Sequence, residues 1–213
     1  MESIYKEKIS KLMELASDHF IKVAESGDVS AQYTLAICYL EGLGLKQDTE
    51  EGIKWLTKAA DSGHTEAQNI LAYRFMHGEG IEKDAEKAIK YLKMAVEHGD
   101  DNAQLNLGIC YANGEGVEQN YSEALRLLKL SADQGNPEAW DNLRRLYADG
   151  KGVEKNERES LIATYISDLL EKKIAEQKAT DEFNTACSMV NKEIAQEVKQ
   201  RFEEVWKRRC SNH

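Results

Sequence analysis

Four glycines, Gly27, Gly63, Gly99 and Gly135, fall 36 residues apart along the chain. A second rank, Gly42, Gly78, Gly114 and Gly150, keeps the same interval, and Gly44, Gly80, Gly116 and Gly152 follow it two residues later. A fixed period of this length restricts the chain to stacked supersecondary units, because one unit alone cannot bury its apolar face. Glycine weakens a helix interior and favours its end, so glycines in strict phase mark where helices stop. Only one proline occurs in 213 residues, which removes the commonest helix interruption and favours long helices between those stops.

Each unit reads as two helices. The first opens near Ala31, Ala67, Ala103 and Ala139, with Leu35, Leu71, Leu107 and Leu143 four residues on and an aromatic at Tyr39, Phe75, Tyr111 and Tyr147. Steps of four and four put these side chains on one helical face. Asp28, Asp100 and Asn136 are good N-caps, and Pro137 takes a first helical position where its missing N–H costs nothing. His64 is the weaker choice in that column. The second helix carries Gly52, Ile53, Leu56, Ala59 and Ala60, then Ala88, Ile89, Leu92, Ala95 and Val96, then Ala124, Leu125, Leu128, Ser131 and Ala132. Small residues here let helix axes approach closely while aliphatics fill the space between. The glycines at 63, 99 and 135 close this helix in a left-handed cap, and the GxG segments turn the chain between the two helices.

The pattern AxxxL(A/G)xxYxxGxG(V/I)xx(D/N)xxxAxx(Y/W)xxxA(A/V)xxG resembles the Sel1-like repeat, a relative of the tetratricopeptide repeat. It is clearest over Ala67–Gly99 and Ala103–Gly135, and Ala31–Gly63 follows it with Leu45 in place of the usual Val. The resemblance implies an all-α fold, a right-handed α-solenoid of stacked helix pairs with long C-terminal helices. Residues 1–156 are assigned to the solenoid, as an N-terminal half-unit followed by units starting near 31, 67, 103 and 139. Ala16, Phe20, Val23, Ala24 and Gly27 form the half-unit, a lone second helix. In the fourth unit the small position of Ala36, Ala72 and Gly108 becomes Arg144, so the partner helix is expected to stand off there.

Residues 157–213 are assigned to capping helices, with a dimerisation arm as the competing assignment. Leu161, Ile162, Tyr165, Ile166, Leu169, Leu170 and Ile174 share one amphipathic helix. Phe183, Cys187, Val190, Ile194, Val198, Phe202, Val205 and Trp206 share another. Terminal units of a solenoid must cover the last exposed core face.

Charge narrows the choice of partner. The formal net charge is −10, whereas affinity for nucleic acid rests on Lys and Arg neutralising phosphates. The one basic run, Lys207-Arg208-Arg209, is read as complementing the negative end of its own helix, so no nucleic acid is expected. Met1 to Phe20 mixes charged with apolar residues, neither a secretory signal nor a membrane span, so a cytoplasmic protein with no membrane partner is expected.

Catalytic and metal chemistry find no support in spacing. Cys38, Cys110, Cys187 and Cys210 lack CxxC spacing, and the five histidines lack any HExxH or i, i+4 pair. Cys38 and Cys110 stand two units apart, about 20 Å at ordinary helix packing distances, too far to bridge. The loops Gly78-Glu79-Gly80 and Gly114-Glu115-Gly116 carry Glu between helices, where a phosphate loop needs a preceding strand. No metal, no cofactor and no catalytic residue is assigned, and an enzyme on a repeat scaffold is the least favoured function.

A solenoid of helix pairs presents a long concave surface built from its first helices. The likeness to tetratricopeptide folds implies that the inward positions lie just off the packing stripe. One such column reads Tyr33, Asn69, Leu105, Asp141; the next Ile37, Tyr73, Ile109, Arg145; a third Leu40, Met76, Ala112, Ala148. Glu41, His77, Asn113 and Asp149 form the rim. Apolar side chains without packing duty at Tyr33, Ile37, Leu40, Tyr73, Met76, Leu105 and Ile109 point to an interaction strip. The acidic rim, with Glu66, Glu138 and Asp141, points to a protein or peptide partner with a basic segment. The leading reading is a cytosolic adaptor holding such a partner. Some proteins similar through this repeat are bacterial immunity proteins, so the alternative is an immunity or antitoxin protein sequestering a basic effector toxin. Association of two copies through the C-terminal helices is a further expectation.

Overall fold

The computed structural model describes residues 20–175 and 192–211, and among these the secondary structure is helical, with no strand. A short helical segment, α1 (residues 20–25), precedes α2 (Val29–Glu41), α3 (Thr49–Asp61), α4 (Thr65–His77) and α5 (Ala85–Glu97). Then come α6 (Asp101–Asn113), α7 (Tyr121–Asp133), α8 (Pro137–Asp149), α9 (Glu157–Ala175) and α10 (Lys192–Ser211). The chain divides into two compact units, Met1–His98 and Gly99–His213. In the first, α2 pairs with α3, α3 with α4 and α4 with α5; in the second, α6 pairs with α7, α7 with α8 and α8 with α9. The fold is all-α, built of stacked helix pairs.

Local chemistry sets the helix limits. Asp28 Oδ1 accepts from the Ala31 N–H and Asp100 Oδ1 from the Ala103 N–H, both at 2.7 Å. His64 holds the same position through Nδ1 at a longer 3.3 Å, the geometry of a weaker cap. The second helices are capped in phase as well, by Asp48, Asp84 and Asn120. Between the helices of each pair, the N–H of that cap donates to the carbonyl of the column aromatic: Asp48 to Tyr39, Asp84 to Phe75, Asn120 to Tyr111 and Asn156 to Tyr147, at 2.8–3.0 Å. These bonds make each GxG segment a closed turn. At the end of α3, Gly63 N–H donates to Ala60 O and His64 N–H to Ala59 O, with Gly63 at φ +94°, where a Cβ would be strained.

The core follows the packing columns. In the first unit Leu35, Leu56, Ala59, Ala60, Leu71, Leu92 and Ala95 are buried. In the second, Ala124, Leu128, Ala139, Leu143 and Tyr147 join Ile162, Ile166 and Leu170 of α9 in one cluster. Val198 and Val205 of α10 are buried in that same cluster.

α9 holds a place that the sequence pattern hides. Asn156 Oδ1 caps it through the Glu159 N–H at 3.0 Å, and Ser160 stands 36 residues after Ala124 in the small-residue column. It is therefore the second helix of the fourth pair, extended to 19 residues. The expected stand-off at Arg144 does not occur. Ser160 Oγ donates to the Arg144 carbonyl at 3.2 Å, while the guanidinium turns away to Asp141 at 2.8 Å. The side chain leaves the contact and the helices keep it.

α10 packs on α9 and, more lightly, on α7. Arg201 grips Glu159 through both terminal nitrogens and also Glu197, and Arg158 meets Glu197 from α9. Arg209 donates to the Gly135 carbonyl and Arg208 lies 3.5 Å from Asp133, so the basic run serves the C-terminal end of α7 as well as its own helix. Ala16 of the half-unit, and Phe183, Cys187 and Val190 of the last expected helix, lie outside the described residues.

Candidate protein-interaction surface

In the first unit, α2 and α4 carry Tyr33, Ile37, Leu40, Glu41, Asn69, Tyr73, Met76 and His77. Tyr73 is 51% exposed, a large ring held out to solvent. It stacks on His77, ring centroids 4.1 Å apart, and the His77 Nδ1 lies 2.8 Å from the Tyr73 carbonyl oxygen. Tyr33 of α2 stacks on His64 at the start of α4, with centroids 4.2 Å apart. Ile37, Asn69 and Met76 are half-buried and Glu41 is exposed. Leu40 departs from the expectation that it has no packing duty. It is only 5% exposed, and a Cβ on Gly52 would stand 2.7 Å from its Cγ, so it fills the space that the missing side chain leaves.

In the second unit, α6 and α8 carry Leu105, Ile109, Asn113, Asp141, Arg145 and Asp149. Leu105 is likewise a core residue, 4% exposed, in one cluster with Trp140 and Leu146 of α8. Ile109 is half-buried against that cluster. Asp141 accepts from both Arg144 and Arg145 at 2.8 Å, and Asp149 pairs with Lys151 at 3.0 Å. The acidic rim is thus partly neutralised by the chain itself.

Three of these residues, Asn113, Arg145 and Asp149, line one cavity of about 320 Å³. Sequence reading missed its other polar members, Gln119, Tyr121, Asn142 and Lys151. A signal was present for Gln119, which follows Gln47 by two periods. Each of these glutamines donates to a carbonyl at the end of its first helix, Gln47 to Leu40 at 2.7 Å and Gln119 to Ala112 at 2.8 Å.

Burial holds the Cys110 thiol up at about 11, with a smaller push from Glu115, which keeps the sulfur protonated and inert. Among the described residues, no group of three or more His, Cys, Asp or Glu side chains is placed to hold a metal ion. No helix there is long and apolar enough to cross a membrane. The first unit thus carries two stacked ring pairs beside half-buried aliphatics, and the second unit carries a cavity with a mixed polar and apolar lining.

The profile of the Sel1 repeat matches residues 29–64, 65–100, 101–136 and 145–162, more than half of the chain. This chain belongs to the Sel1 repeat family. The last matched stretch runs into α9, in keeping with that helix completing the fourth Sel1 pair. Among solved Sel1 structures, c5321, a protective antigen present in uropathogenic Escherichia coli strains, is 27% identical with a TM-score of 0.67. That match covers 90% of this chain and 40% of c5321, so the chain spans well under half the length of that protein. A Sel1 repeat protein from Oxalobacter formigenes is 36% identical, TM-score 0.57, over 60% of this chain and 96% of that one. The immunity protein Pa5087 from Pseudomonas aeruginosa is 20% identical with a TM-score of 0.43, over 72% of this chain and 73% of its own; a likeness at that level carries no argument. No match was found among curated proteins.

Proposed function

We propose that the chain is a cytosolic adaptor that docks a partner protein or peptide on the faces of its first helices. Sel1 repeats generally mediate protein–protein interaction and are not typically enzymatic. The observation that carries the reading is Tyr73. A large aromatic held half-exposed and pinned by a stack on His77, with Met76 and Ile37 half-buried on the same face, is the composition of a binding anchor. The net charge of −10 favours a partner with a basic segment, because complementary charge steers approach. The unpaired thiols Cys38, Cys110 and Cys210 suit a reducing compartment. We read α10 as a cap and not as a dimerisation arm, since Val198 and Val205 are buried against its own chain.

The test is partner capture at low salt, identification by mass spectrometry, and affinity measurement with Tyr73→Glu and Ile109→Glu. Both variants keep wild-type helicity and lose the partner; binding that survives both would place the docking face elsewhere. The immunity reading differs only in the partner, a basic toxic effector, and it too is supported by the charge. Co-expression decides it: if the chain fails to relieve the toxicity of the captured partner, the adaptor reading stands alone.

A further inference from the structure

Two histidines of the first unit stack on tyrosines, and their Nδ1 atoms meet opposite kinds of partner. His77 Nδ1 lies 2.8 Å from the Tyr73 carbonyl oxygen, which can only accept, so that nitrogen carries a hydrogen. The other ring nitrogen is left to take up a proton, and ionisation keeps the bond. His64 is built the other way. The Ala67 N–H, 3.3 Å from His64 Nδ1, can only donate, so this cap needs a bare lone pair on Nδ1 and therefore a neutral ring. A proton added to that ring goes to Nδ1 and ends the cap.

A second partner stands beside the same atom. Glu66 Oε2 also lies 3.3 Å from His64 Nδ1, and a carboxylate oxygen accepts. One ring nitrogen cannot take a hydrogen bond from Ala67 and give one to Glu66, so the charge of the ring decides which is made. The ionisable groups on the surrounding helices are mostly engaged elsewhere. On α2, Asp28 Oδ1 accepts from the Ala31 N–H at 2.7 Å, and Tyr33 lays its ring against the imidazole, centroids 4.2 Å apart. On α3, Lys58 stands over the Trp55 ring. The Tyr91 hydroxyl of α5 donates to Asp61 of α3 at 3.2 Å, and burial, with Asp61 beside it, pushes that hydroxyl up to about 12. His98 closes α5 from an exposed position.

We infer that His64 is a proton-operated latch at the start of α4. Neutral, it caps the helix through Ala67; protonated, it releases that N–H and pairs with Glu66. Histidine changes charge between about pH 5 and 8, so the exchange lies within an attainable range. Opposed forces set the balance. The positive end of the α4 dipole disfavours a cation at the first turn, whereas the Glu66 carboxylate and the Tyr33 face attract one. The latch belongs to the first unit's own fold and does not depend on the docking reading.

The test is a pH series on the nitrogen-labelled full chain, read from imidazole nitrogen shifts and backbone amide shifts. At about pH 8, His64 Nδ1 should carry no hydrogen and the Ala67 amide proton should lie downfield, as a bonded donor does. Towards about pH 5, Nδ1 should gain a hydrogen and the Ala67 amide should move upfield with the same midpoint. His77 Nδ1 should carry a hydrogen throughout. His64→Asn, a cap with no ionisable group, should hold the Ala67 amide in place across the series. Glu66→Gln should lower the His64 midpoint, because it removes the anion that favours the charged ring. The latch is overturned if Nδ1 is already protonated at the alkaline end, if the Ala67 amide does not follow the His64 midpoint, or if His64→Asn keeps the same titration. An unchanged midpoint in Glu66→Gln would rule out Glu66 as the second partner.

Discussion

The Trp140 indole N–H donates to the Ala132 carbonyl at 3.1 Å, from the position that glutamine holds in the earlier repeats. Gln68 Nε2 donates to Ala60 O at 2.9 Å and Gln32 Nε2 to Ala24 O at 3.1 Å. Each bond ties a first helix to the C-terminal end of the helix before it, where the carbonyls carry the negative end of the dipole. A buried donor is required there; the bulk behind it is free to be an amide or an indole.

Gln68 is fully buried, so Gln68→Glu isolates the electrostatics from the packing. The isosteric carboxylate meets a carbonyl oxygen with no N–H to offer, at a cost of about 3 kcal/mol or more. Gln68→Met removes only the bond, at about 1 kcal/mol. The two are compared by urea unfolding, as shifts of midpoint at constant m. Equal losses would show that the column serves packing alone.

His64 is a cap and an aromatic partner at once. Replacing it with Asp brings the stronger cap of Asp28 and Asp100, a gain of up to about 1 kcal/mol. The same change removes the stack on Tyr33, which is worth about 0.5–1.5 kcal/mol. His64→Asp alone is therefore expected to be near neutral, and in a Tyr33→Ala background to stabilise by about 1 kcal/mol. Identical effects in both backgrounds would mean that the stack contributes nothing to folding.

The helix pairs were legible because turns and caps are local chemistry: Gly63, Gly78 and Asp100 act through their own backbone neighbourhood. Burial of the inner columns was not, because it depends on what stands opposite. Leu40 reads as a free aliphatic until Gly52 leaves a hole for it, and Leu105 until Trp140 packs beside it. The same holds for α9, whose Ser160, Thr164 and Asp168 replace the apolar pattern of earlier second helices; its Asn156 cap was the remaining local sign. The cavity was not legible either, because its members come together from α6, α7, α8 and the turns after α6 and α8.

Cys110 and Cys210 differ in environment and should differ in reactivity. With its thiol pushed up to about 11 by burial, Cys110 is ionised to about one part in a thousand at pH 8. Exposed Cys210 should be alkylated by iodoacetamide first, and Cys110 only on unfolding, as read by peptide mass spectrometry. The sign of the linkage follows. Folding favours the protonated thiol, so its contribution is complete below the unfolded value near 9 and is lost as pH rises towards 11. Cys110→Ala should flatten the stability profile across that window.

α10 is held by both apolar and ionic contacts, and their weights differ. Arg201 and Glu159 are partly exposed, so Arg201→Gln should cost about 1 kcal/mol or less and lose effect in high salt. Val205 is only 3% exposed in the cluster with Ile166 and Leu170, and Val205→Asp sets an unpaired carboxylate there at a cost of about 3 kcal/mol or more. Hydrogen exchange should then rise across residues 192–211 and in α9, whose face loses its cover, while α2 to α5 keep wild-type protection. Light scattering should give a monomer for wild type and variant alike. A wild-type dimer that Val205→Asp converts to monomer would instead make α10 an arm between two copies, and the cluster with α9 would then be secondary to that interface.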